Sequence, residues 1–96
     1  MSGFSINKYD KLFNAILKLD SMDKCHQFFE DVCTIKELED MTQRLEVAKL
    51  LSLGKSYQEV SQKTGASTAT ISRVNKCLNY GAGGYKLVID KEDKKD

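Results

Sequence analysis

Two helix-start signals with a glycine between them constrain this chain more than any other feature. Ser56-Tyr57-Gln58-Glu59 sets a hydroxyl three residues before a glutamate. In that pattern each side chain can cap the other residue's backbone N–H at a helix N-terminus. Ser67 supplies a second N-cap eleven residues later. Gly65 stands just before it and offers the positive φ that a tight turn demands. The spacing predicts a short helix to about Lys63 or Thr64, a turn of three or four residues, and a second helix from Ser67 to about Tyr80. That is a helix-turn-helix layout. Where the two helices cross, the first needs a small residue, and Ser61 is one. Val60, Ala66, Ile71 and Val74 fall where the helices bury apolar side chains against each other and the body.

The rest of the chain also reads as helical. It contains no proline, so nothing in it forbids helix continuation. Ile6, Tyr9, Phe13, Ile16 and Leu17 recur at helical spacing after Ser5, an apt N-cap. Ser21 can cap a second helix carrying Phe28, Phe29 and Val32. Thr34-Ile35-Lys36-Glu37 is another capping box, and a long helix follows it. Its expected stripe is Ile35, Leu38, Met41, Leu45, Ala48 and Leu51, broadened by Val47 and Leu50. Gly54 is placed to end that helix. Gly81–Gly84 reads as a loop. Tyr85-Lys86-Leu87-Val88-Ile89 fits strand or helix equally, and the charged residues 90–96 read as a frayed tail.

With 96 residues the chain is expected to be one domain, with segments 1–33, 34–80 and 81–96. Its net charge of +1 does not announce a nucleic-acid partner. The distribution is more informative. Residues 20–50 hold eight acids against four bases, whereas residues 55–80 set Lys55, Lys63, Arg73 and Lys76 against Glu59 alone. Cys25, Cys33 and Cys77 lack metal-ligand or disulfide-framework spacing, and reduced, buried cytosolic thiols fit them best. His26 has no companion histidine at ligand spacing. No apolar run reaches the ~20 residues of a membrane span, and no leader peptide is visible, so a cytoplasmic location is expected.

The second helix of the motif carries the chemistry. Its exposed N-terminal part, Ser67, Thr68, Ala69, Thr70, Ser72 and Arg73, is short and hydroxyl-rich apart from one guanidinium. Short side chains let a helix lie deep in a major groove. Hydroxyls reach phosphates or base edges, arginine can pair with guanine, and methyl groups can touch thymine. Lys55, Ser56, Gln58 and Lys76 are the candidates for phosphate contacts. The competing interpretation is an ordinary helical corner with a polar face. The coincidence of Gly65, Ser61, four apolar positions and the hydroxyl-rich helix argues against it.

The string Thr64-Gly65-Ala66-Ser67-Thr68-Ala69-Thr70-Ile71-Ser72-Arg73 resembles the Trp repressor family. So do Thr34-Ile35-Lys36-Glu37, Gln43-Arg44, Leu51-Ser52-Leu53-Gly54 and Ser56-Tyr57-Gln58-Glu59. The similarity is greatest to the family's Trp repressor-like branch from Gram-positive bacteria. The match runs from Thr34 to about Tyr80. The resemblance implies an all-α fold of five or so helices in an intertwined homodimer. The N-terminal dimerisation helices of one subunit would wrap the other, with Phe4, Tyr9, Phe13, Phe28 and Phe29 in the shared core. Two recognition helices would face successive major grooves of double-stranded DNA, about one turn apart.

The resemblance also implies a tryptophan co-repressor site, for which Thr34, Arg44, Thr70 and Arg73 fall on matching positions. Two residues depart from it. Val74 stands where the family has a glycine against the ligand, and its branched side chain crowds that space. Cys77 stands where the family has a serine, and a thiol is a weak hydrogen-bond partner. Both argue against an intact tryptophan site. Arg44 can equally pair with Asp40, one turn earlier.

The expected function is a sequence-specific DNA-binding transcriptional regulator, a dimeric repressor that occupies a palindromic operator. The alternative is a protein-interaction module that uses the helix-turn-helix as a scaffold. An enzyme is not expected, because no paired-carboxylate, Cys/His or phosphate-loop arrangement is present. No metal site is expected either.

Overall fold

A computed structural model of the protein describes residues 6–93. Ser5, the expected first cap, and Phe4 lie outside the described residues. The described residues form six helices in chain order: α1 (Ile6–Leu17), α2 (Met22–Val32), α3 (Ile35–Ser52), α4 (Tyr57–Thr64), α5 (Thr68–Tyr80) and α6 (Gly84–Asp93). The described residues include no strand.

The start of α2 and both ends of α3 form where the local signals place them, while α6 begins at Gly84, the last residue of the expected loop. Ser21 Oγ accepts from Lys24 N–H at 3.2 Å and opens α2. At the start of α3 the capping box closes in both directions. Glu37 N–H donates to Thr34 Oγ1 at 3.1 Å, and Thr34 N–H donates to Glu37 Oε1 at 2.8 Å. The end of α3 is a Schellman motif. Lys55 N–H reaches back to Leu50 O at 3.1 Å, and Gly54 N–H to Leu51 O at 3.0 Å. Gly54 makes this closure with φ 85, the left-handed conformation that side chains resist.

The chain divides into two compact units, one ending at Leu38 and one running from Glu39 onward. In the second unit Val47 and Ala48 of α3, Val60 of α4, Ala66 of the turn, Ile71 and Val74 of α5 and Ile89 of α6 are all 2% exposed or less. Leu45, Leu50, Leu51, Leu78 and Tyr85 pack around them. Burying each large apolar side chain of this kind contributes about 1.5–3 kcal/mol. All buried residues among those described belong to this unit.

The first unit is different. It has aromatic contacts within helices: Phe28 and Phe29 meet edge to face at 5.3 Å, and Tyr9 and Phe13 lie 6.3 Å apart. Yet α2 buries no residue. Leu17 is 80% exposed, Met22 74% and Ile35 78%. Along the expected apolar stripe of α3, Ala48 is buried, Leu38, Leu45 and Leu51 are half-buried, and Ile35 and Met41 are exposed.

One open reading is resolved and two sequence expectations are corrected. Residues 85–89 are helical, because Tyr85 and Ile89 stand one turn apart and both face the core, which leaves Leu87 and Val88 exposed. Residues 90–93 continue α6 rather than starting a frayed tail, and residues 94–96 lie outside the described residues. Cys77 is not a buried thiol. It sits on the exposed side of α5 while its neighbours Val74 and Leu78 turn inward. Cys25 and Cys33 are half-buried, and all three are free.

Candidate nucleic-acid interface

The site is built by α4, α5 and the turn between them. Ser56 Oγ caps α4 by accepting from Glu59 N–H at 3.2 Å. Thr64 ends α4, and Gly65 follows in the left-handed conformation at φ 74, ψ 6. Its N–H donates to Ser61 O at 2.8 Å. The chain then reverses, and Ser67 caps α5 by accepting from Thr70 N–H at 3.1 Å. The Ser67 hydroxyl donates onward to Thr70 Oγ1 at 3.1 Å, which fixes both side chains at the start of the helix.

Burial decides which face of α5 is offered. Ile71 and Val74 are 0% and 1% exposed and anchor the helix to the core. The opposite positions Thr68, Ala69, Ser72, Arg73 and Lys76 are all exposed. At 3.6 residues per turn, Ala69, Ser72, Arg73 and Lys76 share one face. Thr70 is half-buried beside Ser67, so its hydroxyl serves the cap first. At the other end of the motif Ser56 and Gln58 are exposed and Lys55 is half-buried. The N-terminus of a helix carries partial positive charge from its free N–H groups, so both α4 and α5 begin where an anion is favoured. Lys55, Lys63, Arg73 and Lys76 add to it.

Side chains brace the turn. The Ser61 hydroxyl donates to Ala66 O at 3.0 Å, which explains why a small polar residue suits that position. Thr64 Oγ1 donates to Val60 O at 2.7 Å and accepts from Ala66 N–H at 3.1 Å. Gln43 Nε2 reaches from α3 to Thr64 O at 3.1 Å. Sequence reasoning missed the part played by Gln43 and Thr64. No local pattern signals a bond between residues 21 apart.

The residues matched to an effector site are dispersed in character. Thr34 is exposed and committed to the α3 capping box. Arg44 and Thr70 are half-buried, and Arg73 and Cys77 are exposed. Val74 is a core residue whose isopropyl group packs with Ile71 and Ile89 inside the second unit. Among the described residues there is no cluster of three or more metal-ligating side chains. No described helix is long and apolar enough to cross a membrane.

Comparison with known proteins agrees with this geometry. The family described as Trp repressor protein matches residues 7–93. The chain is 51% identical over 82 residues to the uncharacterized protein YerC of Bacillus subtilis (strain 168), covering 85% of this chain and 79% of YerC. A TrpR like protein from Eubacterium eligens superposes with a TM-score of 0.88 at 49% identity, covering 93% of this chain and 92% of that one. A Staphylococcus aureus protein solved as a candidate Trp repressor superposes with a TM-score of 0.87 at 43% identity, covering 93% and 89%. The chain belongs to the Trp repressor family, whose members are helix-turn-helix DNA-binding regulators and not enzymes.

Proposed function

We propose that this protein is a homodimeric transcriptional repressor that recognises a palindromic operator and acts by occupying it. The carrying observation is the outward face of α5. It presents Thr68, Ala69, Ser72 and Arg73 to solvent while Ile71 and Val74 lock the helix to the core. In this reading Arg73 pairs with a guanine edge. Ser67, Thr68, Ala69, Thr70 and Ser72 line the groove contact. Lys55, Ser56, Gln58 and Lys76 hold phosphates on either side. The protein acts in the cytoplasm, where bacterial DNA lies.

Exposed apolar surface supports the dimer. Leu17, Met22, Val32 and Ile35 are between 55% and 80% exposed, and the unit ending at Leu38 buries no described side chain. A single small domain seldom leaves so many large apolar groups in water. A second copy wrapping these helices covers them and brings two α5 helices to successive grooves. Tryptophan is not part of the proposal. By the family resemblance Val74 stands where the family has a glycine against the ligand and Cys77 where it has a serine, and Val74 is itself a core residue at 1% exposed.

The test is selection of fragmented bacterial genomic DNA by the purified protein at moderate salt. Enrichment of a palindrome with half-sites about one DNA turn apart supports the proposal. Retention of no sequence, alone or with candidate amino-acid effectors, refutes it and favours the interaction-module alternative. Sedimentation equilibrium reads the dimer separately.

A further inference from the structure

Every turn between two helices must find partners for backbone groups that leave the helical ladders. In this turn Gly65 N–H goes to Ser61 O, and Ala66 N–H goes to Thr64 Oγ1. Ala66 O receives the Ser61 hydroxyl. These bonds all arise within the motif. The bond to Thr64 O does not, because it comes from the Gln43 amide on α3, at 3.1 Å and part-buried. A hydrogen bond withdrawn from water is stronger than an exposed one, and losing it leaves its acceptor poorly paired.

We propose that Gln43 is a positioning residue for DNA recognition: its amide pins the Thr64 carbonyl at the joint between α4 and α5 and thereby sets the pose in which α5 meets the groove. The inference rests on the DNA-binding reading above. The joint is the place where a small rotation matters. Arg73 lies five residues along α5 from Thr68, about 8 Å at the rise of a helix, so a tilt of about 10° at the turn displaces it by about 1 Å. Hydrogen bonds to a base edge tolerate a spread of only about 0.5 Å. Phosphate contacts made by flexible lysines adapt to such a shift. Gln43 therefore acts on the reading of sequence more than on affinity for DNA in general.

Gln43→Met keeps the length of the side chain and removes the donor. Gln43→Glu keeps length and polarity, cannot donate, and guards against a folding defect peculiar to the methionine variant. Both are compared with the parent as full-length proteins in two assays. The first is amide hydrogen exchange of Gly65 and Ala66 relative to amides in the middle of α3. The second is the ratio of affinity for the selected DNA fragment to affinity for a scrambled fragment, over a range of salt.

The expected result for both variants is faster exchange at the turn and a specific-to-nonspecific ratio lowered by about fivefold to tenfold, the scale of one hydrogen bond. Nonspecific affinity and the salt slope stay at the parent's values. Exchange unchanged at Gly65 and Ala66 overturns the brace itself. Faster exchange with an unchanged ratio overturns the positioning role. A parent protein with no sequence preference overturns the DNA-binding reading and the positioning role together, while exchange still reports the brace independently.

Discussion

Replacing Gly65 with alanine isolates the cost of the backbone at the turn. Gly65 holds φ 74 and ψ 6, and a Cβ built on it meets nothing within 4 Å. The substitution therefore creates no clash, and its cost is conformational alone. Holding an L-residue in the left-handed region costs about 1–2 kcal/mol. Alanine also stiffens the unfolded chain, which offsets about 0.4–1 kcal/mol of that. The net expectation is a loss of about 1 kcal/mol, or about 4–8 °C in melting temperature for a domain of this size. Urea unfolding followed by far-ultraviolet circular dichroism measures it, at one fixed protein concentration because association shifts apparent stability. The midpoint should fall with an unchanged m-value. Gly65→Asn should cost less than Gly65→Ala, since asparagine enters the left-handed region more readily than alanine. An alanine variant as stable as the parent, or an asparagine variant less stable than the alanine one, would refute the assignment of this turn.

Other substitutions separate the contributions further. Thr34→Ala removes half of the capping box that opens α3 and should cost about 1 kcal/mol, read as a lower urea midpoint. Ile71→Ala empties a fully buried position and should cost about 2–5 kcal/mol, far more than the same change at an exposed α5 position such as Ser72. Arg73→Ala should lower affinity for the selected operator by about 1–3 kcal/mol and relax preference at one base pair; an unchanged operator affinity removes it from the base-reading set. Lys76→Ala should weaken all DNA sequences alike and reduce the salt slope by about 1, and a constant slope takes it out of the phosphate contacts.

How much of the protein is legible in its sequence depends on the range of the interaction. Ser21, Thr34, Ser56 and Ser67 each open the helix expected of them, because a cap is a bond between residues three apart. Gly54 and Gly65 adopt positive φ for an equally local reason, as few other residues enter that region cheaply. The apolar spacing of Val60, Ala66, Ile71 and Val74 likewise gave the inward face of the motif, and with it the outward face of α5. The all-helical class and the exposed face of α5 were thus both readable from short-range patterns.

Tertiary structure decided what short windows leave open. The run from Tyr85 to Ile89 has no decisive period, and only the core beneath Tyr85 and Ile89 makes it helical. Cys77 looks apolar by composition, yet its place on α5 turns it to solvent. The amide of Gln43 finds the Thr64 carbonyl only when α3 lies against the turn, and no residue near either one announces the bond. A cap or a turn is fixed by the dihedral angles of a few consecutive residues, so it is written locally. Burial and long-range hydrogen bonds depend on which surfaces meet, and that is settled only once the whole chain has packed.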